Sequence, residues 1–215
     1  MIQNEFSLRE KNKINVKERI LESAEILLTE NNNVDFSMRE LAKKANVSFA
    51  TPFNYFGDKN SILQELSSQL IKKMENCFNE KEKNESSIKN LFLMAHISIE
   101  VLLEKPILNK YIITSLSIPR KEKLKVKTNS ENLWKIALGN MSEFTEFDKL
   151  KEKLVTQIAL HFRGVISFWC AGDIEDKDLK DNFIKGICFL CLGISKNKDR
   201  DELLKLISEN SQNSL

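Results

Sequence analysis

Turn-forming residues are scarce in this chain of 215 residues, which has six glycines and three prolines. β-Hairpins depend on glycine and on other residues that tolerate tight turns, and no convincing run of alternating polar and apolar residues is present. Apolar residues instead recur at the three- and four-residue intervals of amphipathic helices. The sequence therefore argues against a β-rich fold and predicts an all-α protein.

Long apolar runs are also missing. None reaches the roughly 18 uninterrupted apolar positions of a membrane-spanning helix, and the N-terminal "MIQNEFSLREKNK" has no apolar stretch of the signal-peptide kind. We therefore expect a cytoplasmic protein with no membrane partner. The four cysteines, Cys77, Cys170, Cys188 and Cys191, lie in apolar surroundings, and we interpret them as reduced, buried thiols.

Groups for metal and catalytic chemistry are equally sparse. The chain has two histidines, and no carboxylate pair, Ser/His/Asp set or Cys/His set recurs at a spacing that would place it on one helix face. We expect no enzyme activity, no cofactor and no metal. Both His96 and His161 lie in apolar runs, where a buried, hydrogen-bonded histidine is more frequent than a ligand-sensing one.

Hydrophobic periodicity predicts nine helices. They are expected at about 16–30, for two turns from Ser37, at 48–55, 59–82 and 86–103, from Pro106, from Ser130, and at 148–172 and 176–194. Between the helices that begin at Pro106 and Ser130, "PRKEKLKVKTN" reads as a polar connection.

Local signals indicate that the second and third helices form a helix-turn-helix. Ser37 and Glu40 have the spacing of a capping box, Asn46 tolerates the positive φ of a tight turn, and Ser48 can cap the third helix. In this motif the second of the two helices enters the major groove of DNA.

The third helix, in "NVSFATPFNYFGDK", has a composition unsuited to a core. Ala50 is slim enough for close approach to a DNA backbone, and Thr51 offers a hydroxyl and a methyl group. Asn54 can read adenine or bind a phosphate, and Tyr55 can reach a phosphate. Pro52 presents an apolar edge either to the interior or to a thymine methyl. A merely solvated helix face is the alternative interpretation of the polar members.

Net charge does not decide the matter. The chain carries +2 overall, and residues 1–60 contain nine bases and nine acids. Residues 7–19 are locally basic, with five bases against two acids. DNA binding must therefore be argued from position and motif.

The stretch "ILESAEILLTENNNVDFSMRELAKKANVSFATPFNYFGDKNSILQEL" resembles the DNA-binding region of the tetracycline-repressor (TetR) family of bacterial transcription regulators. The resemblance covers about 55 residues, from Val16 to Leu70. It implies an N-terminal three-helix head, residues 1–58, that binds DNA, and a larger helical domain, residues 59–215, for effector binding and dimerisation.

The resemblance also implies which residues meet DNA: Ser37, Arg39, Ser48, Phe49, Ala50, Thr51, Phe53, Asn54, Tyr55 and Lys59. Of these, Ser37, Arg39 and Lys59 would contact phosphates. The chain departs from the family pattern at Phe49, Ala50, Pro52 and Phe53, and the departures favour apolar contacts over hydrogen bonds. We expect an operator that leans towards A·T pairs.

Two sets of residues are expected in the C-terminal domain. The family pattern implies that the last two apolar helices form a four-helix bundle with those of a second copy, and the expected interface residues are Phe162, Ile166, Trp169, Phe183, Ile187 and Leu190. A small, hydrophobic effector is expected near Phe92, Met94, His96, Tyr111, Trp134 and Phe144, although plain core packing is the alternative for each.

The expected function is that of a ligand-responsive transcription regulator, a repressor, that binds a near-palindromic operator as a homodimer and is released by its effector. The alternative is a helical protein-docking module whose head no longer binds DNA specifically. The balanced charge of residues 1–60 is the only support for that alternative.

Overall fold

The structure, a computed structural model, describes residues 7–30, 36–84, 86–115, 126–139, 148–195 and 197–208. Within those residues the chain is helical, which confirms the predicted all-α class. The helices are α1 (Leu8–Glu30), α2 (Met38–Lys44), α3 (Ala50–Phe56), α4 (Lys59–Asn79), α5 (Ser87–Glu104), α6 (Pro106–Ser115), α7 (Val126–Leu138), α8 (Asp148–Ala171), a short 3-10 helix (Asp176–Asp178), α9 (Leu179–Leu192) and α10 (Asn197–Ser208).

Three helices differ from the prediction. α1 begins at Leu8 rather than near Val16, α7 begins at Val126 inside the predicted polar connection, and α10 was not predicted at all. Periodicity detects a helix by its buried face, and residues 8–15 are exposed on every side. A helix that buries nothing therefore leaves no apolar pattern in the sequence.

A capping box fixes the early start of α1. The Ser7 amide and hydroxyl both donate to Glu10 Oε2 at 2.8 Å, and the Glu10 amide donates to Ser7 Oγ at 3.3 Å. The hydrogen bonds from the Ser7 hydroxyl and amide lower the pKa of Glu10, because they stabilise its charged form.

The chain divides into two compact units, which we describe separately. The first, called the head below, contains Met1–Ser68 and Ile107–Ile118, and the second, called the body, contains Gln69–Pro106 and Pro119–Leu215. The division falls within α4, which is one continuous helix. The functional division predicted between residues 58 and 59 stays a prediction.

The head is built on one apolar cluster. α1 contributes its apolar face, and α2, α4 and α6 close around it. The cluster consists of Ile20, Leu21, Ala24, Leu27, Leu28, Phe36, Leu41, Ala45, Ile62, Leu63, Leu66, Leu108 and Ile112. Helices of seven residues, such as α2 and α3, are not stable alone in water, so their position depends on packing against this cluster.

The body has a core rich in aromatic rings. The ring centroid of Trp134 on α7 lies 5.2 Å from that of Phe162 on α8 and 5.3 Å from that of Phe183 on α9. Phe162 and Phe183 are 4.8 Å apart, and the His161 ring stacks on Phe183 at 5.4 Å. These four rings, which we call the aromatic cluster, hold three helices together.

One helix passes a length-and-composition test for membrane spanning. Glu152–Ala171, within α8, is apolar enough to cross a bilayer, although core helices pass the same test. In the body, Ile158 and Trp169 of this helix are fully buried, and Trp169 Nε1 donates to Asp176 Oδ1 at 2.7 Å. This packing is typical of a core helix, so a single such segment is weak evidence for a membrane.

None of the four cysteines, all of which lie in the described residues, forms a disulfide. Cys188 and Cys191 are buried, whereas Cys77 and Cys170 are partly exposed. Burial raises the pKa of Cys188 to about 11 and that of Cys191 to about 12. Because a thiol reacts as its thiolate, the two cysteines of the C-x-x-C of α9 are protonated and unreactive at neutral pH.

A glycine on α9 makes room for a histidine on α8. The Nε2 atom of His161 lies 3.2 Å from the Phe183 carbonyl oxygen, and burial lowers the pKa of His161. A Cβ atom built at Gly186 would lie 1.9 Å from the same Nε2 atom. A side chain at position 186 would therefore displace a ring that packing holds against Phe183.

We predict that Gly186→Ala destabilises the protein by about 1–3 kcal/mol, the usual cost of overpacking. The same change in a His161→Ala background should be neutral or stabilising, because the clashing ring is gone and alanine favours helix. Urea unfolding of the four proteins in this cycle measures the coupling. Equal effects of the alanine in both backgrounds would contradict the proposed clash.

Candidate nucleic-acid interface

The first helix of the predicted motif, α2, begins as the sequence indicates. The Ser37 amide donates to Glu40 Oε2 at 2.7 Å, and the Glu40 amide donates to Ser37 Oγ at 3.2 Å. The predicted capping box is therefore confirmed. Phe36 and Leu41, on either side of it, are both buried in the head cluster, as in a hydrophobic staple.

The turn between α2 and α3 depends on Asn46. This residue has a φ of 49°, the only positive φ among the non-glycine residues that the structure describes. With Asn46 in this conformation, the Val47 amide donates to the Ala42 carbonyl at 3.0 Å and closes the end of α2. The left-handed residue predicted from the sequence is confirmed, and it sets the direction in which α3 leaves the turn.

Ser48 does not cap α3 as predicted. The helix begins at Ala50, its N-cap residue is Phe49 in a helical conformation, and no side chain bonds to its first amides. The Ser48 carbonyl accepts from the Thr51 amide at 2.9 Å, and the Ser48 hydroxyl lies 2.8 Å from the Thr51 hydroxyl. Ser48 is exposed, so both hydroxyls stand together at the start of α3.

The side chains of α3 divide into an inner and an outer set. Pro52 is buried and faces the interior, which settles the choice left open by the sequence. Tyr55 and Phe56 are half-buried and pack against the head cluster. The outer set comprises the exposed residues Phe49, Ala50, Phe53 and Asn54, with Thr51 half-buried beside them.

Two phenylalanines dominate the outer set. Phe49 is 53% exposed and Phe53 is 40% exposed, and their ring centroids lie 5.3 Å apart in an edge-to-face arrangement. The Arg39 guanidinium carbon lies 5.6 Å from the Phe49 centroid, a cation–π distance. Sequence analysis missed this contact because the two residues lie on different elements. The result is an apolar surface with the positively charged Arg39 side chain at its border.

The start of α4 places a second basic side chain, that of Lys59, beside the helix-turn-helix. The Ser61 amide donates to Asp58 Oδ1 at 2.7 Å, which caps the N-terminus of α4. Lys59 is half-buried, and its Nζ atom lies 4.7 Å from the Phe36 ring centroid. Packing on an aromatic face limits the motion of this ammonium group.

Comparison with known proteins assigns this arrangement to a family. Residues 20–66 match the model described as bacterial regulatory proteins, tetR family. A crystal structure of a TetR transcriptional regulator from Rhodococcus sp. RHA1 shares the fold with a TM-score of 0.69 and 21% sequence identity, over 85% of this chain and all of that one. No curated protein matches the chain in sequence.

Residues 20–66 belong to the TetR family's DNA-binding region, and the chain shares the fold of a TetR regulator. The matched residues contain α2, α3 and every position that the resemblance implied to meet DNA. Regulators of this family are not enzymes, in agreement with the expectation from sequence. In the part of the chain that the structure describes, no three His, Cys, Asp or Glu residues come together as metal ligands.

The residues expected to bind an effector are distributed over both units. Met94 and Trp134 are buried in the body and Phe92 is half-buried there, whereas Tyr111 belongs to the head. His96 is not buried as its apolar neighbours suggested: it is half-exposed, with Nε2 2.9 Å from Glu100 Oε1 one turn away. Phe144 lies outside the described residues.

The residues expected at a dimer interface are mostly inside the body. Phe162, Ile166, Trp169, Phe183 and Ile187 are buried by the chain's own helices, and Leu190 is half-buried. Their apolarity is used within one copy, so they do not offer a surface to a second. The exposed apolar side chains of the same helices are Leu160, Phe168 and Phe189.

We predict different effects from two substitutions in the head. The resemblance implies that Lys59 binds a phosphate, so Lys59→Ala should weaken binding to every duplex and lower the salt slope by about 0.9. Asn54→Ala should change base preference, with a loss of about 1–3 kcal/mol at one position of the site. Tyr55 is not suited to this comparison, since its ring also supports the head cluster.

Anisotropy titrations with the preferred duplex, single-base variants of it and a scrambled duplex, each at several salt concentrations, measure both effects. A general, salt-dependent loss from both substitutions would contradict the division of roles.

Proposed function

We propose that this TetR-family protein acts in the cytoplasm as a homodimeric repressor that binds a near-palindromic operator and is released by a small effector. The observation that carries the proposal is the exposed outer set of α3. The capping box of α2 and the turn at Asn46 hold that helix in place. In a dimer, two such helices would enter successive major grooves, with half-sites roughly 34–36 Å apart or somewhat more.

The chemistry of the outer set supports base reading with few hydrogen bonds. Asn54 can bond to adenine through two atoms, and the exposed ring of Phe53 suits contact with a thymine methyl. Arg39 and Lys59 stand beside this surface and suit phosphates. We therefore propose an operator that leans towards A·T pairs.

We predict tight binding to DNA from immediately upstream of the protein's own coding region. Fluorescence anisotropy with that duplex should show affinity at least a thousandfold higher than with a scrambled duplex of equal length. Both affinities should fall steeply as salt rises. Equal affinity for the two duplexes would contradict a local operator, and failure to bind any duplex would favour the protein-docking alternative.

The dimer is proposed to form through the outer faces of α8 and α9. Leu160, Gly164 and Phe168 follow each other at four-residue intervals and so share one face of α8. Phe168 is 58% exposed and Phe189 of α9 is 62% exposed. Two large exposed rings on adjacent helices are costly on a monomer in water and are typical of an interface core.

We predict that Phe168→Glu and Phe189→Glu each produce monomers, since a charge would be buried at the centre of the interface without a partner. Leu204→Glu is the matched control, because Leu204 is 46% exposed on α10 and lies outside the proposed face. Sedimentation velocity measures the outcome. Dimers that survive both phenylalanine changes would place the interface elsewhere.

Unpartnered polar atoms in the body support an effector site there. Trp134 Nε1, Ser130 Oγ and Ser98 Oγ are buried and have no hydrogen-bond partner among the described residues. Ser130 and Trp134 stand one turn apart on α7, and Ser98 is on α5, which packs against α7. Buried polar groups are normally satisfied, so a bound molecule with an apolar body and an accepting oxygen would suit them.

Release is proposed to act through α4. Its first residues belong to the head and its later residues to the body, so a change in the body that moves α4 would alter the separation of the two heads. To weaken operator binding a hundredfold, the effector must prefer the released state by about 2.7 kcal/mol.

A further inference from the structure

α1 begins well before the head's core does. Val16 is its first residue that packs on the head cluster, whereas residues 8–15 are exposed, with Leu8 at 81%. At 1.5 Å per residue this segment, which we call the α1 extension, is about 12 Å long. The capping box of Ser7 and Glu10 holds its first turn helical. The extension is therefore an ordered helix that no other described residue covers.

The face of α1 that packs on the head changes from apolar to basic in the extension. Going back from Ile20 and Val16 in steps of four and three residues leads to Lys13 and then to Arg9, which lie on the same face. Lys11 is two residues from each of them, a rotation of about 200° around the helix axis, and therefore lies on the opposite face. What this face meets beyond the head must therefore suit positive charge rather than apolar contact.

Contacts of Lys17 show where this face leads. Lys17 stands one turn after Lys13, and its Nζ atom lies 5.8 Å from the ring centroid of Phe56, the last residue of α3. The same atom bonds to Glu65 Oε1 at 2.6 Å. α1 thus passes the end of the recognition helix at Lys17, and Lys13 and Arg9 follow one and two turns farther out.

The charges of the extension are not neutralised within the head. Lys17 is paired with Glu65, but Arg9 and Lys13 have no ion pair in the part of the chain that the structure describes. Both side chains are exposed. These two exposed cations lie one and two turns beyond Lys17, which contacts the end of α3. They match the charge of a phosphate backbone rather than a base edge.

We propose that Arg9 and Lys13 form a second DNA contact, which binds backbone phosphates beside the groove that α3 occupies. The inference rests on the proposed operator binding and adds residues outside the helix-turn-helix to it. It assigns them a sequence-independent role: they strengthen binding to any duplex and carry no base preference.

Three substitutions test the proposal, each of which removes one positive charge from the extension: Arg9→Gln, Lys13→Gln and, as the control on the opposite face, Lys11→Gln. Glutamine has nearly the helix propensity of arginine and lysine, so circular dichroism should show unchanged helicity. Anisotropy titrations use a 30-base-pair duplex that the unchanged protein binds, at salt concentrations between 50 and 200 mM.

Arg9→Gln and Lys13→Gln should each reduce the slope of log affinity against log salt by about 0.9, and the double variant by about 1.8. Lys11→Gln should leave the slope nearly unchanged. All variants should keep the preference of the unchanged protein for its duplex over a scrambled one.

Equal slopes for all three single variants would overturn the inference, because the effect would then reflect net charge and not contact. Slopes that match the unchanged protein would also overturn it and would leave the face to a different anionic partner. Both results require that the unchanged protein binds DNA. If it binds no duplex at all, the proposed function fails first and this inference fails with it.

Discussion

The placement of the recognition helix depends on the turn at Asn46. A positive φ at this residue brings the Val47 amide to the Ala42 carbonyl, and that closure sends the chain into α3 within three residues. α3 itself has seven residues and no side-chain cap. Its position is therefore decided by what surrounds it: the turn before it, Pro52 and Phe56 on its inner side, and the capped start of α4 after it. A longer helix would tolerate a looser turn, but this one has few contacts of its own.

In the body, the helix faces that pack in the core of one copy determine which apolar side chains remain exposed to a second copy. α8 is apolar around much of its circumference. Its inner face packs in the aromatic cluster. There, the absence of a side chain at Gly186 leaves the space that the His161 ring occupies. Phe168 is left on the outer face. The same helix thus serves both the core of one copy and the proposed contact with a second, and the two roles are separated by rotation about its axis.

The sequence predicted the features that depend on a few neighbouring residues, such as the capping box of Ser37 and the left-handed Asn46. It failed at Ser48, where the choice between capping an amide and meeting the Thr51 hydroxyl depends on where α3 starts. It also did not distinguish the buried face of α8 and α9 from the exposed one. Periodicity shows that a helix is apolar on two sides, but it does not show which side the same chain covers. The early start of α1 was missed for the opposite reason: a helical segment without a buried face has no periodic signature.

Equal numbers of acids and bases in residues 1–60 are compatible with DNA binding once the acids are located. Glu10, Glu40 and Asp58 are used as helix caps, and Glu30 binds Lys44 at 2.8 Å. Glu65, just beyond that range, binds Lys17. Acids engaged in this way stabilise helix starts and helix pairs, and they leave Arg39 on Phe49 and Lys59 on Phe36 beside α3. Net charge counts all of these groups equally, whereas a phosphate responds mainly to exposed charges within about one Debye length, roughly 8 Å at physiological ionic strength. The head can therefore be neutral as a whole and still present cations where a duplex would lie.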